Sequence, residues 1–89
     1  MIIFYTSQFK KDYKRIRKQN KNIIKLRRII DKLLSEEKLD FRYKDHQLSG
    51  VFKNYRDCHI EPDWILIYKK TEKILILERT GSHSELFQK

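Results

Sequence analysis

The chain has 89 residues, of which 39% are hydrophobic, 37% charged and 12% aromatic. We expect residues 1–89 to form one domain with a small core, because a chain of this length buries only roughly 60 to 65% of the surface exposed on unfolding. The single cysteine, Cys58, excludes an internal disulfide and favours a cytoplasmic protein. The longest apolar runs, residues 1–5 and 64–68, are too short for a membrane span or a signal peptide.

The net charge of +9 and the pI of about 9.8 indicate a polyanionic partner. The charge is uneven, because residues 1–38 contain twelve Lys and Arg against four Asp and Glu, whereas residues 39–89 contain nine against eight. This division suggests that the first half of the chain docks on the partner and the second half performs the chemistry. The alternative is that the basic residues only solvate two amphipathic helices.

Two helices are predicted in the first half. Residues 2–5 are β-branched and aromatic and predict a short strand, after which Thr6 or Ser7 can cap one helix and Asn22 the next. Apolar residues recur at helical spacing in the first helix at Phe9, Tyr13 and Ile16, and in the second at Ile23, Leu26, Ile30, Leu33 and Leu34. Both helices should therefore be amphipathic, with a basic outer surface.

A sheet is predicted in the second half. Helical periodicity is lost in residues 39–52, which predict a loop that contains His46. Three strands are predicted at residues 55–60, 63–68 and 74–79. Gly81 ends the last strand, and Ser82 with Glu85 forms the capping box of a short helical turn. The predicted fold class is α+β, in the order βααβββ plus this C-terminal turn, with the two N-terminal helices packed on an antiparallel sheet.

The three histidines of the chain, His46, His59 and His83, all lie in its second half. Imidazole exchanges protons near neutral pH, because its unperturbed pKa is roughly 6.5. With Asp63 and Arg79 nearby in sequence, the histidines supply a base, an acid and a cation for metal-free cleavage of a phosphodiester. RNA suits such a site because its own 2′-hydroxyl is the nucleophile, so we expect no cofactor.

Other interpretations of these residues are weaker. No H-E-x-x-H or C-x-x-C spacing is present, and Cys58 and His59 should point to opposite faces of their strand, so a metal site is disfavoured. Cys58 falls on the core side, where a thiol is inert. Taken singly, His59 is more often a half-buried strand residue and Asp63 a turn former, but their coincidence at strand ends favours a reaction site.

Two stretches, HQLSGVFKNYRDCHIEPDWILIYK and ERTGSHSELF, closely resemble the YafQ branch of the RelE superfamily of bacterial toxins. The resemblance is specific from about residue 43 to residue 87, whereas residues 1–38 agree only in the order strand, helix, helix. This chain departs from the family pattern at Phe52 and Asn54, where relatives often carry Trp and Gly. Asn tolerates the left-handed conformation that such a glycine can adopt.

The resemblance implies the small RelE-like fold and a ribosome-dependent endoribonuclease. Such an enzyme cleaves mRNA in the ribosomal decoding site by attack of the 2′-hydroxyl and leaves a 2′,3′-cyclic phosphate. By the same resemblance, the catalytic residues are His46, His59, Asp63, Arg79 and His83. His83 is expected at the start of a helix, where a phosphate can also bind. Our hypothesis is that His83 is the general base and that His59 or Asp63 is the general acid.

The remaining assignments concern substrate binding. Arg79 would hold the non-bridging oxygens, and His46 would position the phosphate. Phe87 or Trp64 would stack on a splayed base, although Trp64 is equally compatible with the core. Docking on the backbone of ribosomal RNA is expected from Lys10, Lys11, Lys14, Lys18, Lys25, Arg27 and Arg28.

The expected partners are a cognate antitoxin, the ribosome and mRNA, with no membrane. We expect a monomer when the protein is alone and a hetero-oligomer with the antitoxin. Two alternatives stay open: a non-enzymatic RNA-binding module, and a ParE-type toxin on the same fold, which inhibits a topoisomerase. The histidine set separates them, because an inhibitor of gyrase does not require it.

Overall fold

The computed structural model describes residues 1–35 and 37–87 as a five-stranded sheet with two long helices on one of its faces. The strands are β1 (Ile2–Tyr5), β2 (His46–Gln47), β3 (Arg56–Glu61), β4 (Trp64–Lys70) and β5 (Ile74–Gly81). The α-helices are α1 (Ser7–Lys18), α2 (Ile23–Leu34) and α3 (His83–Leu86). In these residues, every helix is too short or too polar to cross a membrane. The predicted order of the longer elements is confirmed, and the two-residue strand β2 is an addition.

The sheet has the strand order β1-β5-β4-β3-β2 and is mixed, not wholly antiparallel as predicted. Strands β2 to β5 are antiparallel neighbours, but β1 runs parallel to β5, with Ile2 opposite Ile74. Short turns connect β3, β4 and β5 and so require antiparallel pairing. In contrast, β1 reaches β5 only through the rest of the fold, so no local turn sets its direction.

Local capping signals are found where the sequence places them. The Thr6 side chain accepts a hydrogen bond from the Phe9 amide at 2.9 Å, and the Asn22 side chain accepts one from the Ile24 amide at 3.1 Å. Each satisfies an amide that the first turn of a helix leaves without an intrahelical partner. Asn54 has a φ of 77°, which is the left-handed conformation expected at this departure from the family pattern.

Both faces of the sheet are covered. The helical face forms the larger core, which contains Phe9, Ile16, Leu26, Ile29, Leu33, Cys58, Ile60, Trp64, Leu66, Tyr68, Leu75 and Leu77. The opposite face forms a smaller core, in which Ile65, Ile67 and Leu86 pack against Leu48, Phe52, Tyr55 and Phe87. Strand β4 is therefore buried on both sides, which explains its continuous apolar sequence. Ile29, which the predicted stripe omitted, is part of the larger core.

The edge of β5 is completed by α1 and not by a strand. Because β1 pairs only with the first half of β5, the backbone groups in the second half of β5 need other hydrogen-bond partners. The Thr6 hydroxyl donates to the Glu78 carbonyl at 2.8 Å, and Arg15 donates to the Thr80 carbonyl at 3.1 Å. The Thr80 amide donates to the Asp12 carboxylate at 3.2 Å. Side chains of α1 and of its N-cap, Thr6, thus replace the missing strand.

Asp12 is the fully buried carboxylate of this edge. Arg79 donates to it from Nε at 2.8 Å and from a terminal nitrogen at 3.0 Å, and an Arg15 nitrogen lies 3.2 Å away. A buried charge is tolerated only when it is paired and hydrogen-bonded. Asp12 therefore stabilises the fold only while Arg79 and the Thr80 amide remain on it.

We expect Asp12→Ala to lower the free energy of unfolding by about 3–5 kcal/mol, because it leaves Arg79 and a buried amide without their acceptor. Urea denaturation followed by circular dichroism measures this loss. The control is Asp31→Ala, which removes an exposed carboxylate from α2. Equal stabilities of the two variants would contradict the importance of the Asp12 contacts.

Candidate active site

Four of the predicted site residues, His46, His59, Asp63 and His83, lie on or beside the sheet face that is opposite to the two long helices. His46 on β2 lies opposite Asp57 on β3, so His46 belongs to a short strand and not to a loop as predicted. His59 lies two residues after Asp57 on β3. It is opposite Ile65 of β4, which in turn is opposite Gly81 of β5. The chain then enters α3 at His83. The rings of His59 and His83 lie 5.3 Å apart between centroids and nearly perpendicular.

Asp63 holds His83 through two contacts. Its Oδ1 lies 2.7 Å from His83 Nδ1 and accepts the His83 backbone N–H at 2.9 Å. These hydrogen bonds lower the pKa of Asp63, so the group is a carboxylate at neutral pH. The contact at Nδ1 selects the tautomer with its proton on that atom and leaves Nε2 as the acceptor. The His83 amide, where we expected a phosphate, is thus already satisfied, and an ionised Asp63 is unsuited to be the general acid.

The predicted capping box places His83 on a short but well-defined helix. The Ser82 hydroxyl accepts from the Glu85 amide at 3.2 Å, and the Glu85 carboxylate accepts from the Ser82 amide at 2.8 Å. Glu85 also lies 3.1 Å from Arg15 Nε, which connects α3 to α1. The start of α3 is therefore fixed from within the turn and from the neighbouring helix.

Asp57 is a buried carboxylate beside the histidines that the sequence interpretation did not single out. It is buried, and this burial raises its pKa, whereas a positive charge on His46, His59 or His83, when the ring is protonated, opposes the rise. His46 Nδ1 lies 3.0 Å from Asp57 Oδ1, but its alignment favours the Lys44 carbonyl at 2.8 Å. Oδ1 therefore has no well-aligned donor in the described part of the chain. The available signal was the alternation of β3, which puts Asp57 and His59 on one face.

The environment of His59 favours its neutral form. Burial lowers the pKa of His59, and the nearby charges of His83, Lys44 and His46 act in the same direction. The Asp57 carboxylate opposes them. Cys58, the next residue along, points into the larger core, where burial raises the pKa of its thiol. Its side chain is thus on the opposite face from His59, as predicted.

Arg79 does not extend toward the histidines. Arg79 and Asp57 both lie opposite Ile67 of β4, one on each side, so they belong to the same row of residues across the sheet. However, a bulge at this point of β5 and the open strand edge let the side chain reach Asp12 on α1. The predicted contact of Arg79 with phosphate oxygens is therefore replaced by an internal ion pair, because a buried carboxylate requires a cation.

The two aromatic candidates have different positions. Phe87 is half-buried beside the site, with its ring centroid 6.4 Å from that of His83 and 6.0 Å from that of Phe52. Trp64 is fully buried in the larger core, and its Nε1 donates to the Thr80 hydroxyl at 2.9 Å. Stacking of Trp64 on a base is thus ruled out by burial, whereas Phe87 remains placed for it.

The seven predicted docking residues do not share one surface. A groove between α1 and α2 has an apolar floor and is bordered by Lys10, Lys14 and Arg27. A separate cleft contains Lys25 and Arg28 together with His59. Lys11 and Lys18 are exposed elsewhere on α1. Lys25 is also paired with Glu61 at 2.9 Å, which reduces its value for docking.

The arrangement of potential metal ligands bears on what the site can do. Across residues 1–35 and 37–87, no group of three or more His, Cys, Asp or Glu side chains is arranged to hold a metal ion. The site is instead an Asp63–His83 pair facing His59, with Asp57 behind. Such a set can exchange protons and orient a phosphate.

Comparisons with known proteins identify the family of this chain. Residues 1–88 match the model of the bacterial toxin of type II toxin-antitoxin systems, YafQ. The chain belongs to the YafQ toxin family. It is 49% identical over 86 residues to the Escherichia coli mRNA interferase toxin YafQ, covering 96% of this chain and 94% of that protein. It superposes on the crystal structure of Escherichia coli YafQ with a TM-score of 0.92 at 48% identity, covering 96% of each chain.

A second solved structure in the family shows a relative in complex. The chain superposes on YafQ in the crystal structure of the Escherichia coli DinJ-YafQ complex with a TM-score of 0.89, at 49% identity and with 96% of each chain covered. These similarities confirm the predicted α+β fold over nearly the whole chain, including the helical half where the sequence resemblance was limited to element order.

We expect the His59 ring to titrate below its unperturbed pKa of roughly 6.5. Asp57→Asn should lower this pKa further, because it removes the carboxylate that favours the imidazolium. Side-chain ¹H–¹⁵N NMR spectra recorded against pH measure both values. Since the unfolded ring binds protons more readily, this histidine should also make the fold less stable as pH falls below about 6.5.

The matched control for this titration is Glu72→Gln, which removes an exposed carboxylate from the turn between β4 and β5. It should leave the His59 titration unchanged. A His59 pKa above the unperturbed value, or equal shifts in both variants, would show that Asp57 and burial do not govern this ring.

Proposed function

We propose that this protein is a ribosome-dependent mRNA interferase, a toxin that cleaves mRNA in the ribosomal decoding site by metal-independent acid/base catalysis. The observation that carries the proposal is the facing pair of His59 and His83, with Asp63 bound to His83 Nδ1, in a member of the YafQ toxin family. A curated relative with 49% identity is named an mRNA interferase toxin. Cleavage of mRNA would stop translation.

The proposed reaction is an attack of the RNA 2′-hydroxyl on the adjacent phosphorus. His83 Nε2 accepts the hydroxyl proton, and the Asp63 carboxylate stabilises the imidazolium that forms, as in other Asp–His pairs. The new bond between the 2′-oxygen and phosphorus forms while the bond to the 5′-oxygen breaks. His59 donates a proton to the departing 5′-oxygen. The products are a 2′,3′-cyclic phosphate and a 5′-hydroxyl.

The other site residues have supporting roles in this proposal. His46, on the strand beside Asp57, positions the phosphate, and Asp57 favours the protonated form of His59. Phe87 stacks on a base of the substrate, which is worth roughly 1 to 3 kcal/mol. Arg79 acts through Asp12, as a residue that shapes β5 at the entrance to α3, and not through the phosphate.

The proposed partners follow from the surface and from the relatives. The groove between α1 and α2 combines an apolar floor with a basic border, which suits an amphipathic acidic segment of an antitoxin. A relative forms a complex called DinJ-YafQ. The exposed lysines of α1 would dock on ribosomal RNA, whose backbone is a dense array of phosphates. A cytoplasmic location, with access to ribosomes, is part of the same proposal.

His83→Ala and His59→Ala should each lower cleavage of ribosome-bound mRNA by about 100-fold or more, because each removes one proton-transfer group. Primer extension on mRNA from programmed ribosomes measures the rate and the position of the cuts. Lys73→Ala, at the exposed turn before β5, serves as the control and should cleave normally. Wild-type rates from both histidine variants would remove the pair from the mechanism, and growth arrest without any cut RNA would favour the topoisomerase-directed alternative.

Ribosome binding should weaken steeply as salt is raised, because each neutralised phosphate releases counterions. Sedimentation of the protein with ribosomes at several salt concentrations measures the slope. A variant in which Lys10, Lys14 and Lys18 are replaced by Gln should bind more weakly and with a smaller slope. Affinity that does not change with salt would contradict docking through the basic face of α1.

A further inference from the structure

A basic cleft leads to His59 from the side of α2. It has a volume of about 440 Å³ and lies between α2, residues 42–44 and the end of β3. Four cationic side chains line it: Lys25, Arg28, Arg42 and Lys44. Glu61 is the single acidic residue of the lining, and it pairs with Lys25 at 2.9 Å. The cleft therefore has three cations in excess, directly beside a catalytic histidine.

The three cations of the cleft other than Lys25 are available for an anionic ligand. Arg28, Arg42 and Lys44 are exposed and have no carboxylate partner within 4.0 Å among residues 1–35 and 37–87. Arg42 is held in place, because its guanidinium lies 4.9 Å from the Tyr43 ring centroid and donates to the Tyr43 hydroxyl at 2.9 Å. A side chain that is already ordered loses less conformational entropy when a ligand binds.

Lys44 connects the cleft to the chemistry. It has a left-handed backbone with a φ of 51°, and its carbonyl faces the His46 ring at 2.8 Å. Its side-chain charge lies close enough to His59 to contribute to the lowered pKa of that ring, for which burial is the main cause. An anion bound by Lys44 would therefore lie next to the histidines.

The lining distinguishes a nucleic acid from a protein ligand. The groove between α1 and α2 offers the partly exposed apolar side chains of Ile3, Tyr13 and Ile30, as an amphipathic peptide requires. The cleft offers cations spaced around a histidine, and its aromatic ring, Tyr43, already carries Arg42 on its face. A chain of phosphates needs cations and no apolar anchor.

We propose that this cleft binds the phosphodiester backbone of mRNA adjacent to the scissile phosphate, with Arg28, Arg42 and Lys44 as the phosphate-binding residues. The proposal rests on the proposed function, since it takes His59 to act on RNA. It also separates two tasks of the basic residues. The lysines of α1 dock on the ribosome, whereas the cleft holds the substrate strand.

The first test measures binding of a 2′-O-methylated RNA hexanucleotide, which cannot be cleaved because it lacks the nucleophile. The cleft variant carries Arg28→Gln, Arg42→Gln and Lys44→Gln. The control carries Arg17→Gln, Lys38→Gln and Lys73→Gln, which removes the same charge from exposed positions outside the cleft. The cleft variant should lose at least about 10-fold in affinity, and its salt slope should fall by about 2, since each contact with a single strand contributes roughly 0.7. The control should change by less than about 3-fold.

Three outcomes would overturn the cleft as an RNA site. They are no loss in the cleft variant, equal losses in both variants, or equally tight binding of an octaglutamate peptide that competes with the RNA. The last result would assign the cleft to acidic peptides. Thermal unfolding of both variants should match the wild type, because all six replaced side chains are exposed. A folding defect is therefore separated from a binding defect.

The second test measures single-turnover cleavage on programmed ribosomes. The cleft variant should cleave at least about 10-fold more slowly while still sedimenting with ribosomes. Wild-type cleavage by the cleft variant would overturn the cleft and leave the proposed function intact. If the wild-type protein binds the hexanucleotide through the cleft but never cleaves mRNA, the proposed function fails and the binding site stands.

Discussion

The fold depends on how the second half of β5 is completed. A strand edge with unpaired backbone groups is unstable in a folded protein unless something covers it. Here β1 stops after pairing with Leu77, and α1 takes over with Thr6, Asp12 and Arg15. The buried Asp12 then requires Arg79 as its counter-ion. One unpaired stretch of strand thereby determines where α1 lies and where Arg79 points.

The same contacts connect the basic half of the chain to the site. Arg15 donates to the Thr80 carbonyl and lies 3.1 Å from Glu85, and Gln19 donates to Glu85 at 3.2 Å. Hydrogen bonds from the Ser82 amide lower the pKa of Glu85, so it remains a carboxylate and keeps both contacts. Helix α1 thus holds the turn on which His83 lies. The helix that carries the lysines proposed to dock on the ribosome therefore also sets the position of the proposed general base.

The structural features that could be predicted from the sequence are those that a short stretch of chain determines by itself. The caps at Thr6, Asn22 and Ser82 were found because a cap and its helix are neighbours in sequence. The alternation of β3 correctly separated Cys58 from His59, because the period of a strand is local as well. The histidines were recognised by their chemistry and by the resemblance to a toxin family.

What could not be predicted depends on contacts between distant residues. Asp12 and Arg79 are far apart in sequence, and nothing in either neighbourhood shows that one binds the other. The parallel direction of β1 and the burial of Trp64 likewise depend on how the completed sheet packs. Arg79 was therefore assigned to a phosphate, although its charge neutralises a carboxylate in the core.

On the proposed mechanism, binding of substrate and protonation of His59 are coupled. In the free protein, burial and the neighbouring cations keep this ring mostly neutral at neutral pH, which is unfavourable for a general acid. A phosphate bound beside Lys44 adds negative charge near the ring and compensates the cations of the cleft. The same anion that is to be cleaved would thus favour the imidazolium that must protonate the leaving oxygen. The buried Asp57 acts in the same direction, so that His59 becomes an effective acid chiefly when RNA is in place.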